Sequence, residues 1–422
     1  MIKRIGLALM LISSVMISAK DCDYNDINYK SDCHEWSIPK DCTSLNLWDN
    51  DIGDEEAKKL ATAMKENKNI KLTELYLSSN EIGYKGAKEL ATAMKENKNI
   101  KLTKLYLTNN NIGDEGAKEL AATLLVDETL TELYLSSNEI GYKGAKELAT
   151  AMKENKNIKL TKLYLSGNNI GDEGAKELAA TLLVDETLTT LGLYGNDIGY
   201  KGAKELATAM KENKNIKLTS LYLYEDFIGD EGAKELAAAL NKNKTLTSLN
   251  LSWNRIGVEG AKELAAALNK NETLTSLDPS GNKIGDLGAK ELAAALNKNK
   301  TLTELYLRVN KIGDLGAKEL AAALRENKNI KLTSLNLRGN VIGDKGAKEL
   351  AAALNKNETL TSLNLFANKI GYLGAKELAA ALNKNKTLTS LDLGYNNIGD
   401  KGVKELAAAL LKNKTLTILF DD

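Results

Sequence analysis

Histidine is nearly absent: His34 is the only one in 422 residues. No Cys-x-x-Cys, His-Glu-x-x-His or phosphate-loop pattern occurs, so the common signatures of metal and nucleotide chemistry are missing. The one chemically suggestive pair is Cys33 with His34, and adjacent residues on an extended chain point apart. No enzyme, metal site or cofactor is expected. Charge of either sign is not in excess, because 57 Lys and Arg face 57 Asp and Glu. Without a basic balance the chain lacks the electrostatic footprint of a nucleic-acid binder. Long apolar runs are absent beyond residue 19, which leaves nothing later that would cross a membrane.

Residues 1–19 are the exception. Lys3 and Arg4 form a basic start, Ile5 to Ile17 an apolar core, and Ser18 with Ala19 a small-residue end. That pattern is a secretory signal peptide, and it is short for a span of about 20 residues. A secreted or periplasmic protein is expected, with no membrane contact after cleavage. Lipid attachment at Cys22 does not fit, since Lys20 and Asp21 rather than small residues precede it. Loss of Lys3 and Arg4 leaves 55 basic against 57 acidic residues, a net charge of −2.

What fills the rest is repetition. Thirteen copies of one unit run from Cys42 to Thr415, with a truncated fourteenth from Leu416. Residues 102–129 form a 28-residue copy, and copies with a MKENKNIK or RENKNIK tail have 30. A fixed period of this size marks a solenoid with one large face. Within the copy, Leu105 and Leu107 alternate with Lys104 and Tyr106, a short strand with its leucines inward. Asn110 follows. An Asn recurs there from Asn50 to Asn396 in every full copy but the one with Asp226. Stacked amides donate to and accept from neighbouring turns, so such a ladder satisfies itself.

Ala117, Leu120, Ala121 and Leu124 then fall on one helical face, with Lys118, Glu119 and Ala122 on the other. Asp114 and its equivalents are expected to cap their own helices. Gly116 and its equivalents are expected at a tight turn or a close approach. Each copy thus supplies a parallel strand and an antiparallel helix. Helices are wider than the ~4.8 Å strand spacing, so the stack must curve with strands inside. Thirteen strands give an inner arc of roughly 60 Å.

The pattern LxxLxLxxNxIGxxGAKELAxAL resembles the ribonuclease-inhibitor-like subfamily of leucine-rich repeats over about nine-tenths of the chain. The resemblance implies an α/β leucine-rich-repeat solenoid, a horseshoe with a parallel concave sheet and convex helices. It also implies protein binding on the concave face without catalysis. The domain plan is then a signal peptide at 1–19, an N-terminal cap at 20–41 and the solenoid at 42–422. The cap holds Cys22, Cys33, His34 and Trp36. Cys42 takes a leucine position in the core, so a Cys22–Cys33 disulfide is expected in an oxidising compartment; other single pairings stay open.

Six Asn-x-Thr triplets, at Asn243, Asn271, Asn299, Asn357, Asn385 and Asn413, stand just before the next strand. In a eukaryotic secretory pathway they would be glycan acceptors. In a bacterium, the origin favoured here, they are simply the helix-to-strand turn.

The copies differ mainly on the concave rim, the two positions before the ladder Asn and the one after it, as a binding surface requires. Residues 72–101 and 130–159 are identical copies, so recent duplication accounts for part of the regularity. Tyr76, Tyr106, Tyr134 and Tyr164, with Tyr222 and Tyr306, share one column. They serve either as cross-strand stabilisers or as an amphipathic contact strip. The middle copies break several rules together. Tyr194, Tyr224, Phe227 and Trp253 put aromatics on the rim, Asp226 replaces the ladder Asn, and Pro279 replaces an inward leucine. Such departures tend to mark function, and clustered exposed aromatics anchor interfaces. Trp48, Phe366 and Tyr395 look more isolated.

After the ladder Asn, Asp51, Glu81, Glu139 and Asp197 give way to Arg255, Lys283, Lys311 and Lys369, joined by Arg308 and Arg338. This gradient would orient a partner or drive head-to-tail self-association. The function expected is non-catalytic binding of a protein, such as a host target, with a self-associating surface component as the alternative.

Overall fold

A computed structural model describes residues 20–30 and 35–419. The proposed signal peptide, Cys33, His34 and the last three residues lie outside the described residues. Fifteen strands form one open parallel sheet in simple chain order, apart from a small excursion near the start. Thirteen helices, from Asp54–Glu66 to Gly399–Lys412, run antiparallel to it on the other side among the described residues. The architecture is the curved α/β solenoid expected of the repeat.

The unit packs as its periodicity dictates. Leu105, Leu107, Ala117, Leu120, Ala121 and Leu124 are all buried, and each fully buried leucine contributes roughly 1.5–3 kcal/mol. Gly116 marks a close approach, not a left-handed turn. A Cβ there would stand 2.6 Å from Cγ2 of Ile112 and 3.2 Å from the Cα of Tyr84 in the preceding turn. The ladder amides do what their repetition implies. Asn80 accepts from the backbone N–H groups of Asn50 (3.0 Å) and Ile52 (2.9 Å) and donates to the carbonyls of Leu47 (2.8 Å) and Leu77 (3.0 Å).

The expected cap is placed differently. Asp114 lies in the first turn of the helix Gly113–Leu124 and makes no side-chain bond at that helix's own start. Its carboxylate reaches forward instead, accepting from the backbone N–H of Gly141 (2.8 Å) and Gly144 (2.7 Å) in the next turn. Asp54, Asp172, Asp230, Asp286, Asp314 and Asp344 act likewise. Stacked helices bring each carboxylate beside the glycine-lined start of its neighbour, where four N–H groups lack intrahelical partners.

The C-terminal ends are also satisfied by a neighbour. Asn271 is 3% exposed; its Nδ2 donates to the Leu240 carbonyl (2.8 Å), and its Oδ1 accepts from Thr273 N (3.0 Å) and Leu274 N (2.7 Å). All six Asn-x-Thr asparagines are buried in this second amide ladder. A glycan on such an Nδ2 has no room in the folded chain.

At the start, β1 (Lys20–Asp23) pairs in parallel with β4 (Cys42–Asn46) and so extends the main sheet. Between them, β2 (Asn28–Lys30) and β3 (Glu35–Ser37) form a small antiparallel sheet. Ile27, Trp36 and Ile38 are buried in the same core as the first repeat. Cys42 is buried with its thiol donating to the Ser44 carbonyl (3.3 Å). Cys22 is buried and has no disulfide partner among the described residues; Cys33, the partner expected for it, lies outside them.

Candidate protein-binding face

The concave sheet presents two different halves. In the first, Tyr76, Tyr106, Tyr134 and Tyr164 stack in a continuous strip with ring centroids 4.3, 4.3 and 4.8 Å apart. The strand register forces this, since Tyr76 pairs with Tyr106, Tyr106 with Tyr134 and Tyr134 with Tyr164. A second column alternates in charge. Lys104 bridges Glu74 at 2.9 Å and Lys162 bridges Glu132 at 3.1 Å.

The hydroxyls of Tyr76 and Tyr134 donate to Glu74 (2.7 Å) and Glu132 (2.6 Å). The Glu74 bond, followed by burial, pushes the Tyr76 phenol well above its ordinary range; for Tyr134 burial leads and Glu132 adds to it. The strip ends at Gly192, where a Cβ would stand 2.6 Å from the Tyr164 ring. Tyr222 lies past that gap. Tyr306 lies further on, bonded to Glu304 at 3.1 Å, its phenol pushed up to about 12 chiefly by burial.

The middle copies place the remaining aromatics on three successive turns of the rim. Tyr194 stacks on Tyr224 at 3.9 Å. Phe227 is 46% exposed and carries the Arg255 guanidinium 4.1 Å above its ring. Trp253 is 45% exposed and lies over Gly281, where a Cβ would come within 2.4 Å of the indole. Phe366 is less isolated than its sequence position implies, with Arg338 at 4.1 Å and Tyr395 at 4.9 Å from its ring centre.

A leucine-rich-repeat family model matches residues 43–61, 68–91, 98–121, 126–149, 156–179, 298–321, 328–351, 356–379 and 384–407, which together make half of the chain. The chain is a leucine-rich repeat protein. A second model, the TMOD/LMOD leucine-rich domain, matches residues 195–305. Among solved structures, an internalin (InlF) from Listeria monocytogenes is similar at 19% identity and a TM-score of 0.50, covering 92% of this chain and 91% of its own. The actin-binding site 2 of leiomodin-1 aligns at 22% identity and a TM-score of 0.28, covering 44% of this chain and 88% of its own. No curated protein matches the chain.

One feature of these leucine-rich repeats is not visible as a motif. The residue before the ladder position has a positive φ in all thirteen copies, from Asp49 (56°) to Tyr395 (52°). Its side chain varies while its backbone does not. Glycine at Gly167, Gly195, Gly281 and Gly339 was the available signal, because glycine adopts this conformation freely. Glu225, Trp253 and Val309 hold it without that freedom, at 58°, 57° and 52°.

Asp226 is fully buried in the ladder. Its Oδ1 accepts from Asn196 N at 2.8 Å, but its Oδ2 has no partner among the described residues. Burial drives its carboxyl up to about 7.

Pro279 falls just after the strand Ser276–Asp278, not inside it. In neighbouring repeats the equivalent Leu251 N–H donates to the Asp278 carbonyl (2.7 Å) and Leu307 N–H to the Asn336 carbonyl (2.8 Å). Proline has no such donor, and the Ser280 hydroxyl donates to the Tyr306 carbonyl instead (3.3 Å). The substitution is compensated locally.

Among the described residues no helix is long and apolar enough to cross a membrane.

Proposed function

We propose that this leucine-rich repeat protein is a non-catalytic scaffold whose concave face binds a protein partner, such as a host target. The observation that carries this reading is the set of rim aromatics on three successive turns, with Tyr194 stacked on Tyr224, Phe227 under Arg255, and Trp253 exposed. Exposed aromatics backed by a guanidinium are the residue types that dominate interface energetics. The sheet beneath them is continuously hydrogen-bonded and preformed, so little ordering entropy is lost on binding. The tyrosine strip serves the same face from the side, its rings available and its hydroxyls at Tyr76 and Tyr134 already engaged. The ribonuclease-inhibitor-like form of the repeat, export through residues 1–19, a cap at 20–41 and the Cys22–Cys33 disulfide complete the proposal.

The test is a paired capture with the chain from Lys20 onward, as wild type and with Tyr194, Tyr224, Phe227 and Trp253 all changed to Ala. Circular dichroism verifies folding of both. A partner retained by wild type and lost by the variant supports the site. A partner held equally by both removes it. Concentration-dependent assembly with no partner turns the reading toward a self-associating surface component.

A further inference from the structure

The charges of the two concave halves are in different states. In the first half the strand column is neutralised, Lys104 with Glu74 and Lys162 with Glu132, and the rim beside it is acidic at Asp51, Glu81, Glu139 and Asp197. In the second, five successive turns carry Arg255, Lys283, Arg308 with Lys311, Arg338 and Lys369, all exposed. None of these six cations has a carboxylate within 4.0 Å among the described residues. The nearby concave carboxylates accept hydrogen bonds from other groups, and Asp278 feels the Arg308 charge without forming an ion pair with it. Asp278 accepts from Ser280 N (2.9 Å), Glu304 from the Tyr306 hydroxyl (3.1 Å) and Asp392 from Asn364 Nδ2 (2.9 Å).

The cations are also positioned. Arg308 and Arg338 sit on hydrogen-bonded neighbouring turns, with Val309 N donating to the Arg338 carbonyl at 2.8 Å. Arg255 and Arg338 lie over Phe227 and Phe366. A guanidinium stacked on a ring keeps its N–H edge free for a carboxylate, which it can hold bidentately. Five turns at ~4.8 Å span about 19 Å, the length of roughly six extended residues.

We infer that this rim docks an acidic, extended segment of the protein partner, about six residues long, with carboxylates on the edges of Arg308 and Arg338. The inference rests on the concave-face reading and names the chemistry of what that face takes. A long phosphodiester chain fits less well, because the same face turns acidic within a few repeats at Glu225, Asp197 and Glu139. A short acidic segment meets only the basic half.

The test is fluorescence anisotropy with the wild-type chain and labelled hexaglutamate, hexaglutamine and a six-residue oligothymidylate. Hexaglutamate is expected to bind, with affinity falling as salt rises. Hexaglutamine is expected not to bind. The double variant Arg308→Gln/Arg338→Gln, folded by circular dichroism, is expected to lower hexaglutamate affinity by about tenfold or more. Equal binding of the two peptides, or no effect of the double variant, overturns the inference. Tighter binding of the oligothymidylate overturns it in favour of phosphodiesters. A wild-type dimer in sedimentation that dissociates in the double variant overturns it in favour of a second copy. A partner lost by the four-aromatic variant but held by the double arginine variant sinks this inference alone and leaves the concave-face reading standing.

Discussion

Asp226 is the one ladder position where an amide has been exchanged for an acid, and Asp226→Asn should stabilise the protein in a strongly pH-dependent way. Every other ladder residue donates through Nδ2, as Asn196 does to the Leu165 and Leu193 carbonyls at 2.9 and 2.6 Å. A carboxylate cannot donate, and Oδ2 of Asp226 has no partner among the described residues. Protonated, the same oxygen becomes a donor. Burial raises the folded carboxyl to about 7, against an ordinary value near 3.9. The folded chain binds more protons than the unfolded chain between these values. Its stability is thus fully present below about pH 4 and is lost as pH rises through about 7. The gap corresponds to roughly 4 kcal/mol at full ionisation. Urea unfolding followed by circular dichroism, on wild type and Asp226→Asn at pH 4.5 and pH 8.5, isolates this group because all other titrations are shared. The difference should be small at the acidic end and approach about 4 kcal/mol at the basic end. A difference of the same size at both pH values would refute the argument.

Other consequences are local. Val309 holds φ at 52°, a conformation that costs a β-branched residue about 1–2 kcal/mol, so Val309→Gly should raise the melting temperature despite glycine's entropy; a lower one would show that the strain is not there. Ser280→Ala strips the Tyr306 carbonyl of the donor that replaces Pro279's missing N–H. It should cost about 1–3 kcal/mol in urea unfolding, and much of that should vanish in the Pro279→Leu background; an equal cost in both backgrounds would sink the compensation. Asn271→Ala removes one donor and one buried acceptor and should destabilise by at least about 2 kcal/mol. Thr273→Ala breaks the same triplet and should cost much less, and the reverse order would show that the triplet is not a structural ladder.

The fold was legible because one physical problem is solved thirteen times in the same letters. Alternating leucines, a recurring Asn and an AKEL face each report a local environment directly. The cap was harder. Asp114 reads as a cap of its own helix because sequence shows position along a helix and not which neighbouring turn lies within reach. Its true partners, Gly141 and Gly144, are a whole repeat away. The left-handed position before the ladder was hidden for a related reason: a backbone constraint leaves its trace only where glycine happens to occupy it. At the candidate site, the stacking of Tyr76 through Tyr164 follows from repeat register alone. The pairing of Phe227 with Arg255 and of Phe366 with Arg338 leaves no trace in the sequence, since it depends on where side chains lean from the rim.

The central claim is that the concave middle of the array is where a protein binds. Hydrogen–deuterium exchange on the complex with the captured partner tests it most directly. Binding should slow exchange in residues 190–198, 220–228 and 248–256, on the strands and rim that carry Tyr194, Tyr224, Phe227 and Trp253. The helices of the same repeats, on the far face, should exchange as in the free protein. Protection confined to those helices, or absent from the middle repeats, would contradict the account.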